Sequence, residues 1–285
     1  MSEQPAFDRL WDFNDPAASE QRFRDLLDTG DPDARARILS QVARAQGLQR
    51  KFAEALATLD AAEALLAGAV APIARTRIAL ERGRTLNSSK QGDRGRAHFV
   101  AALDLARGAG DDLLAIDAVH MLAIIEPPEK AIEWNLRAME MAEASKNERA
   151  KNWLGALYNN IGWAYHDGGN FEKALEIFEK ALAWRAARNQ PVETRIAKWA
   201  VARALRSLGR VEEAFARQTE LLAEHERAQS TDGYVNEELG ECLLALGRAA
   251  EAAPQFRRAW ELLSKDDWLA ANEAARLERL KTLGG

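Results

Sequence analysis

The stretch from Asn159 to Leu182, NNIGWAYHDGGNFEKALEIFEKAL, places very small and large apolar residues at spacings that suit two closely packed helices. Gly162 and Ala174 are small where two antiparallel helices would touch, and Ile161, Tyr165, Phe171, Phe178 and Ala181 would fill the space around that contact. Gly168 and Gly169 supply the stop and the turn, since glycine takes the left-handed backbone that ends a helix without steric cost. The segment therefore reads as one helical hairpin with a coded interface.

The code recurs. With the small residue of each second helix as anchor, six copies stand at Ala55, Gly95, Ala131, Ala174, Ala214 and Ala252, spaced by roughly 40, 36, 43, 40 and 38 residues. Four positions after the anchors come Leu59, Phe99, Asn135, Phe178, Gln218 and Phe256. The small position of the first helices reads Ala43, Gly83, Val119, Gly162, Ala202 and Gly240. In the third copy Glu126-Pro127-Pro128-Glu129 replaces the glycine turn, because proline suits a helix start and forbids continuation. Asp15-Pro16 and Asp31-Pro32 each set an N-cap before a first-turn proline. Gly30, Gly47, Gly209 and Gly247 stand where helix ends are expected to need a left-handed residue.

Capping helices are expected at Ala17 to Asp28 and at Asp267 to Leu283, and no alternating period-two run argues for a strand. No linker rich in Pro, Gly or Ser divides the chain, so one array over 1–285 is expected: a cap over 1–35, about six repeats over 36–266 and a capping helix over 267–285. The segment FDRLWDF, Phe7 to Phe13, is too apolar for a free tail. It should dock on the first repeats or on a second copy, which would give a weak homodimer.

Composition narrows the function classes. Hydrophobic residues at 47% and charged residues at 29% fit a core-forming protein, and the net charge of −5 argues against a general polyanion binder. Abundant Ala and a bias to Arg over Lys suggest a bacterial genome rich in G and C. No apolar run has membrane-spanning length and no secretory signal is legible, so a cytoplasmic chain is expected, in line with the single Cys242, read as a small buried helix residue. Phosphate-binding, dinucleotide-binding, nucleophile-elbow and zinc-protease motifs are all absent. The four histidines lie in separate repeats, so no metal or other cofactor is expected. His166-Asp167 reads as a solvated helix end, and Glu237, Glu238 and Glu241 as a solvated acidic face.

Ile161-Gly162 with Tyr165, then Ala174 with Phe178, resembles the tetratricopeptide repeat (TPR) pattern. The resemblance implies an all-α, right-handed superhelical solenoid of antiparallel helix pairs. It further implies that first helices line the concave side and carry the binding residues at their second, fifth, ninth, twelfth and thirteenth positions. On that count Arg37, Arg44, Arg77, Arg84, Asn87, His120, Asn159, Trp163, Trp199, Arg203 and Arg206 form the expected ligand groove, turning acidic at Glu237 and Glu241. Asn159 fits one site of the carboxylate clamp used by chaperone-cofactor members, but Trp163 stands where that clamp has another Asn. The expected function is a non-catalytic scaffold or adaptor that holds an acidic peptide or protein partner, with nucleic acid and membrane not expected. The alternative is a ligand-responsive signalling regulator, of the peptide-sensor or response-regulator phosphatase type.

Overall fold

The structure is a computed structural model that describes Phe7 and residues 9–285. The described residues are all-α, with no strand among them, and they pack into two compact units, the first ending at Trp153 and the second starting at Leu154.

The first unit holds α1 (Pro16–Arg24), α2 (Pro32–Leu48), α3 (Phe52–Ala64), α4 (Pro72–Ser88), α5 (Gly92–Gly108), α6 (Asp112–Ile125), α7 (Pro128–Ala144) and the short α8 (Glu148–Lys151). In the second unit lie α9 (Leu154–Asp167), α10 (Phe171–Ala187), α11 (Pro191–Ser207), α12 (Val211–Arg227), α13 (Gly233–Ala245), α14 (Ala249–Leu263), α15 (Asp267–Asn272) and α16 (Ala274–Gly284). The six helix pairs are α2–α3, α4–α5, α6–α7, α9–α10, α11–α12 and α13–α14, with every anchor on a second helix. Helix starts follow the caps in the sequence: Asp15 accepts from the Ala18 N–H at 3.0 Å, and Asp31 accepts from the N–H groups of Asp33 and Ala34.

Small-to-large packing joins the helices of the second, fourth and sixth pairs. Phe99, Phe178 and Phe256 are essentially fully buried, and each ring lies where a Cβ on Gly83, Gly162 or Gly240 would sit. At Gly240 that added carbon would come within 2.9 Å of the Phe256 ring. The pairs that carry Ala43 and Ala202 have Leu59 and Gln218 in place of the ring, so partner size follows the first-helix residue.

Three local expectations are corrected. Left-handed backbone occurs at Gly169, Gly209 and Gly247, but Gly30 is not left-handed and Gly47 lies inside α2. The turns within the first and second pairs place the left-handed residue at Arg50 and Lys90, and those after the fourth and fifth pairs at Asn189 and Gln229, side chains that tolerate the conformation only where the surrounding turn imposes it. The first capping helix is shorter than expected, ending at Arg24. The last is not one helix, because it breaks at Glu273 (φ −129°) after Asn272 Nδ2 donates back to the Trp268 carbonyl at 2.8 Å and occupies an end-of-helix acceptor.

Candidate functional site

In the second unit, α9, α11 and α13 each present an aromatic residue on the same side, and the three rings form a ladder. Trp163 and Trp199 have centroids 5.6 Å apart, Trp199 and Tyr234 6.1 Å, and the Trp199 indole N–H donates to the Tyr234 carbonyl at 3.0 Å. Trp163 is braced from behind by Phe178 at 5.1 Å, so the helix-pair core sets the ladder's position. A cavity of about 480 Å³ opens along these rings, within the range of small-ligand sites (about 300–1,000 Å³).

Arginines and glutamates share the cavity wall. Glu238 receives the Arg206 fork at Nε and Nη2 and also Arg203 Nη1 at 3.2 Å. Arg276 from α16 grips Glu237 through Nε at 2.9 Å and Nη2 at 2.6 Å, while Arg279 pairs with Glu241. The acidic cluster is thus not a solvated face: Glu238 is only 3% exposed and each of the three carboxylates holds a guanidinium. Burial pushes the Glu238 carboxyl up to about 7 against the pull of Arg206, with Glu241 and Glu237 adding to the rise. His166 is half-buried rather than solvated, with Nε2 2.9 Å from Ser207 Oγ and its ring against Trp163 and Phe171, while Asp167 is exposed.

The first unit repeats the charge arrangement without the ladder. Arg84 pairs with Glu81 and Asp117, and Arg44 Nη1 lies 3.7 Å from Glu81 Oε1. Burial alone would raise the Asp117 carboxyl, but Arg84 and Arg44 hold it below the usual carboxylate range. Arg37 is tied to Asp33 one turn back at 2.8 Å. Burial pulls the His120 imidazole below the usual histidine range, and its ring packs on Trp153 at 5.0 Å.

A rule that the sequence reading missed emerges from these pairs. Arg44, Arg84 and Arg203, all at the ninth position of a first helix, each meet a carboxylate at the sixth position of the next first helix: Glu81, Asp117 and Glu238. The pairing joins neighbouring first helices at unequal sequence separations, so no single helix displays it. Within each unit these arginines are therefore ion-paired between repeats rather than bare.

Of the expected groove residues, the structure gathers Trp163, Trp199, Arg203 and Arg206 around one cavity. Arg44, Arg84 and Asn87 share a second cavity of about 230 Å³, and Arg44 and Arg77 a third of about 330 Å³. Asn159 stands apart from the ladder, in a cavity of about 280 Å³ beside Ala156 and Arg185. Among the described residues no cluster of metal ligands forms, and no helix is long and apolar enough to cross a membrane.

Residues 126–185 match the tetratricopeptide repeat family model. No curated protein sequence matches the chain. Among solved structures, a signal transduction ATPase of the STAND class with a tetratricopeptide repeat sensor, from Pyrococcus horikoshii, superposes with a TM-score of 0.73 at 17% identity. That match covers 95% of this chain but only 42% of the ATPase. The apo form of RapI gives 0.70 at 12% identity over 88% of this chain and 71% of RapI. BtubC from P. vanneervenii gives 0.60 at 18% identity over 80% of this chain and 94% of BtubC. At these identities the likeness is one of fold.

Proposed function

We propose that this chain, a tetratricopeptide-repeat protein, is a non-catalytic scaffold that holds a peptide or protein partner on the first-helix face of its repeats. The observation that supports this reading is the ladder Trp163–Trp199–Tyr234 running beside Arg203 and Arg206 in one cavity. Rigid aromatic faces offer contact area at little entropic cost, and guanidinium forks orient carboxylates. The preferred partner is a peptide with an acidic group near an apolar or aromatic one.

Glu238 sets the condition for that preference. While ionised it occupies both arginines, so a ligand carboxylate must displace it; once protonated it leaves the Arg206 fork to the ligand. An acidic peptide should therefore bind more tightly at pH 6 than at pH 8.

A displayed peptide library selected on the full chain provides the test, with helicity of each variant checked by circular dichroism. Selected peptides should lose binding to Trp163→Ala and keep it with Trp184→Ala, a tryptophan on the second helix α10 that stacks under Arg188. The reverse pattern would place the binding surface on the second helices and end this reading.

A further inference from the structure

We propose that the cavity beneath the N-terminal segment of the first unit binds a peptide that sets an aromatic side chain beside a carboxylate, and that Phe7 with residues 9–13 is its resident, displaceable occupant. This site is independent of the cavity in the second unit and goes beyond the reading above.

The segment packs Phe7, Leu10 and Trp11 on buried Phe23, Ile38 and Val42, and its outer side meets guanidinium groups of α2 and α4. Trp11 stacks on Phe13 with centroids 5.0 Å apart and planes within 3°, and Arg44 stands over both rings at 5.5 and 5.7 Å. Arg77 stands 5.5 Å from the Phe7 centroid, and the Trp11 indole N–H donates to Gln41 Oε1 at 3.1 Å. The surface thus already recognises aromatic side chains through its arginines.

The occupant leaves one group unsatisfied. Arg77 is 6% exposed, and its Nε and Nη2 have no hydrogen-bond partner among the described residues. Those two donors form the side of the guanidinium that grips a carboxylate bidentately. Arg44 and Arg84 in the same unit each have a carboxylate, whereas Arg77 has only a ring. Burial pulls the Arg77 guanidinium down to about 10, and the fields of Glu81, Asp111 and Asp117 do not make up the loss. A buried donor left without an acceptor is costly, so a ligand bringing a carboxylate supplies what Phe7 cannot.

The space available fits the exchange. The cavity of about 330 Å³ is bordered by Phe7, Trp11, Phe13, Arg44, Arg77 and Trp153, and Phe13 is 60% exposed. Lifting the segment would replace three rings by a ligand's ring and its carboxylate.

N-acetylphenylalanine and its uncharged amide are the probes, titrated calorimetrically into the full chain. The acid should bind about tenfold more tightly than the amide, the gain of one charge-assisted fork. Phe7→Ala should tighten the acid further, and backbone amides of residues 9–13 should exchange faster when the acid is bound. Arg77→Met should abolish the preference for the acid; if that variant loses helicity, Arg77→Lys, which keeps the charge and drops the fork, should reduce it. Equal binding of acid and amide, no binding of either probe, a preference that survives loss of the fork, or unchanged exchange over residues 9–13 would overturn the proposal.

Discussion

Gln218 sits on α12 where other pairs bury a phenylalanine, fully enclosed with neither its Oε1 nor its Nε2 hydrogen-bonded among the described residues. An amide so placed has lost its water and gained nothing. Replacing it by methionine, which has similar length and no strong polar atom, should stabilise the protein by about 1 kcal/mol, or about 2–4 °C in a thermal melt. A lower melting temperature would mean that the amide has a partner here. Glu238 gives the second residue-scale prediction. Its folded-state value of about 7 lies above the ordinary carboxylate range, so between those values the folded form holds a proton that the unfolded form has released. Stability should therefore fall as pH rises from about 4.5 to about 7, and Glu238→Gln should remove that part of the slope in urea titrations across the window. A variant with the parent's slope would show that Arg203 and Arg206 hold the carboxylate ionised throughout.

At the scale of the helix pair, the fit of glycine against phenylalanine decides the interface. A methyl at Gly162 would collide with the Phe178 ring, which is 1% exposed. Gly162→Ala should cost about 1–3 kcal/mol by overpacking, despite alanine's better helix propensity. In a Phe178→Leu background the same change should be neutral or stabilising, because Ala opposite Leu is the combination already present at Ala43 and Leu59. Chemical denaturation of the four proteins of this cycle would measure the coupling, and additive effects would refute the size-matching argument. This level of organisation was legible in the sequence, since a periodic pattern of sizes is what packing selects. The helix ends were less so: Arg50 and Lys90 take left-handed backbone that residue type alone would assign to glycine, and the break at Glu273 depends on the Asn272 side chain turning back to Trp268. Those choices follow from tertiary context, which no local signal carries.

At the scale of the whole molecule, the size code recurs in several pairs, and charges link neighbouring first helices at Arg44–Glu81, Arg84–Asp117 and Arg203–Glu238. Reading single helices found the arginines and the tryptophans but treated the arginines as ligand contacts. Glu81, Asp117 and Glu238 escaped notice because their role exists only once consecutive first helices lie side by side. In a repeat array stability is close to a sum of repeat terms and nearest-neighbour terms, and these buried pairs belong to the second kind. Arg84→Met should therefore strand Glu81 and Asp117 without their shared cation and cost about 3–5 kcal/mol, far more than the loss of a surface pair. Adding Glu81→Gln and Asp117→Asn should recover part of the loss, because of this cluster only the Arg44 charge then remains. Hydrogen exchange gives the decisive readout: Arg84→Met should weaken protection over α4 and α6, which carry the broken pairs, and leave α11 and α13, tied by Arg203 and Glu238, as in the parent. Uniform loss of protection along the chain would show that the array unfolds as one cooperative body and that the ion pairs are not separable neighbour contacts.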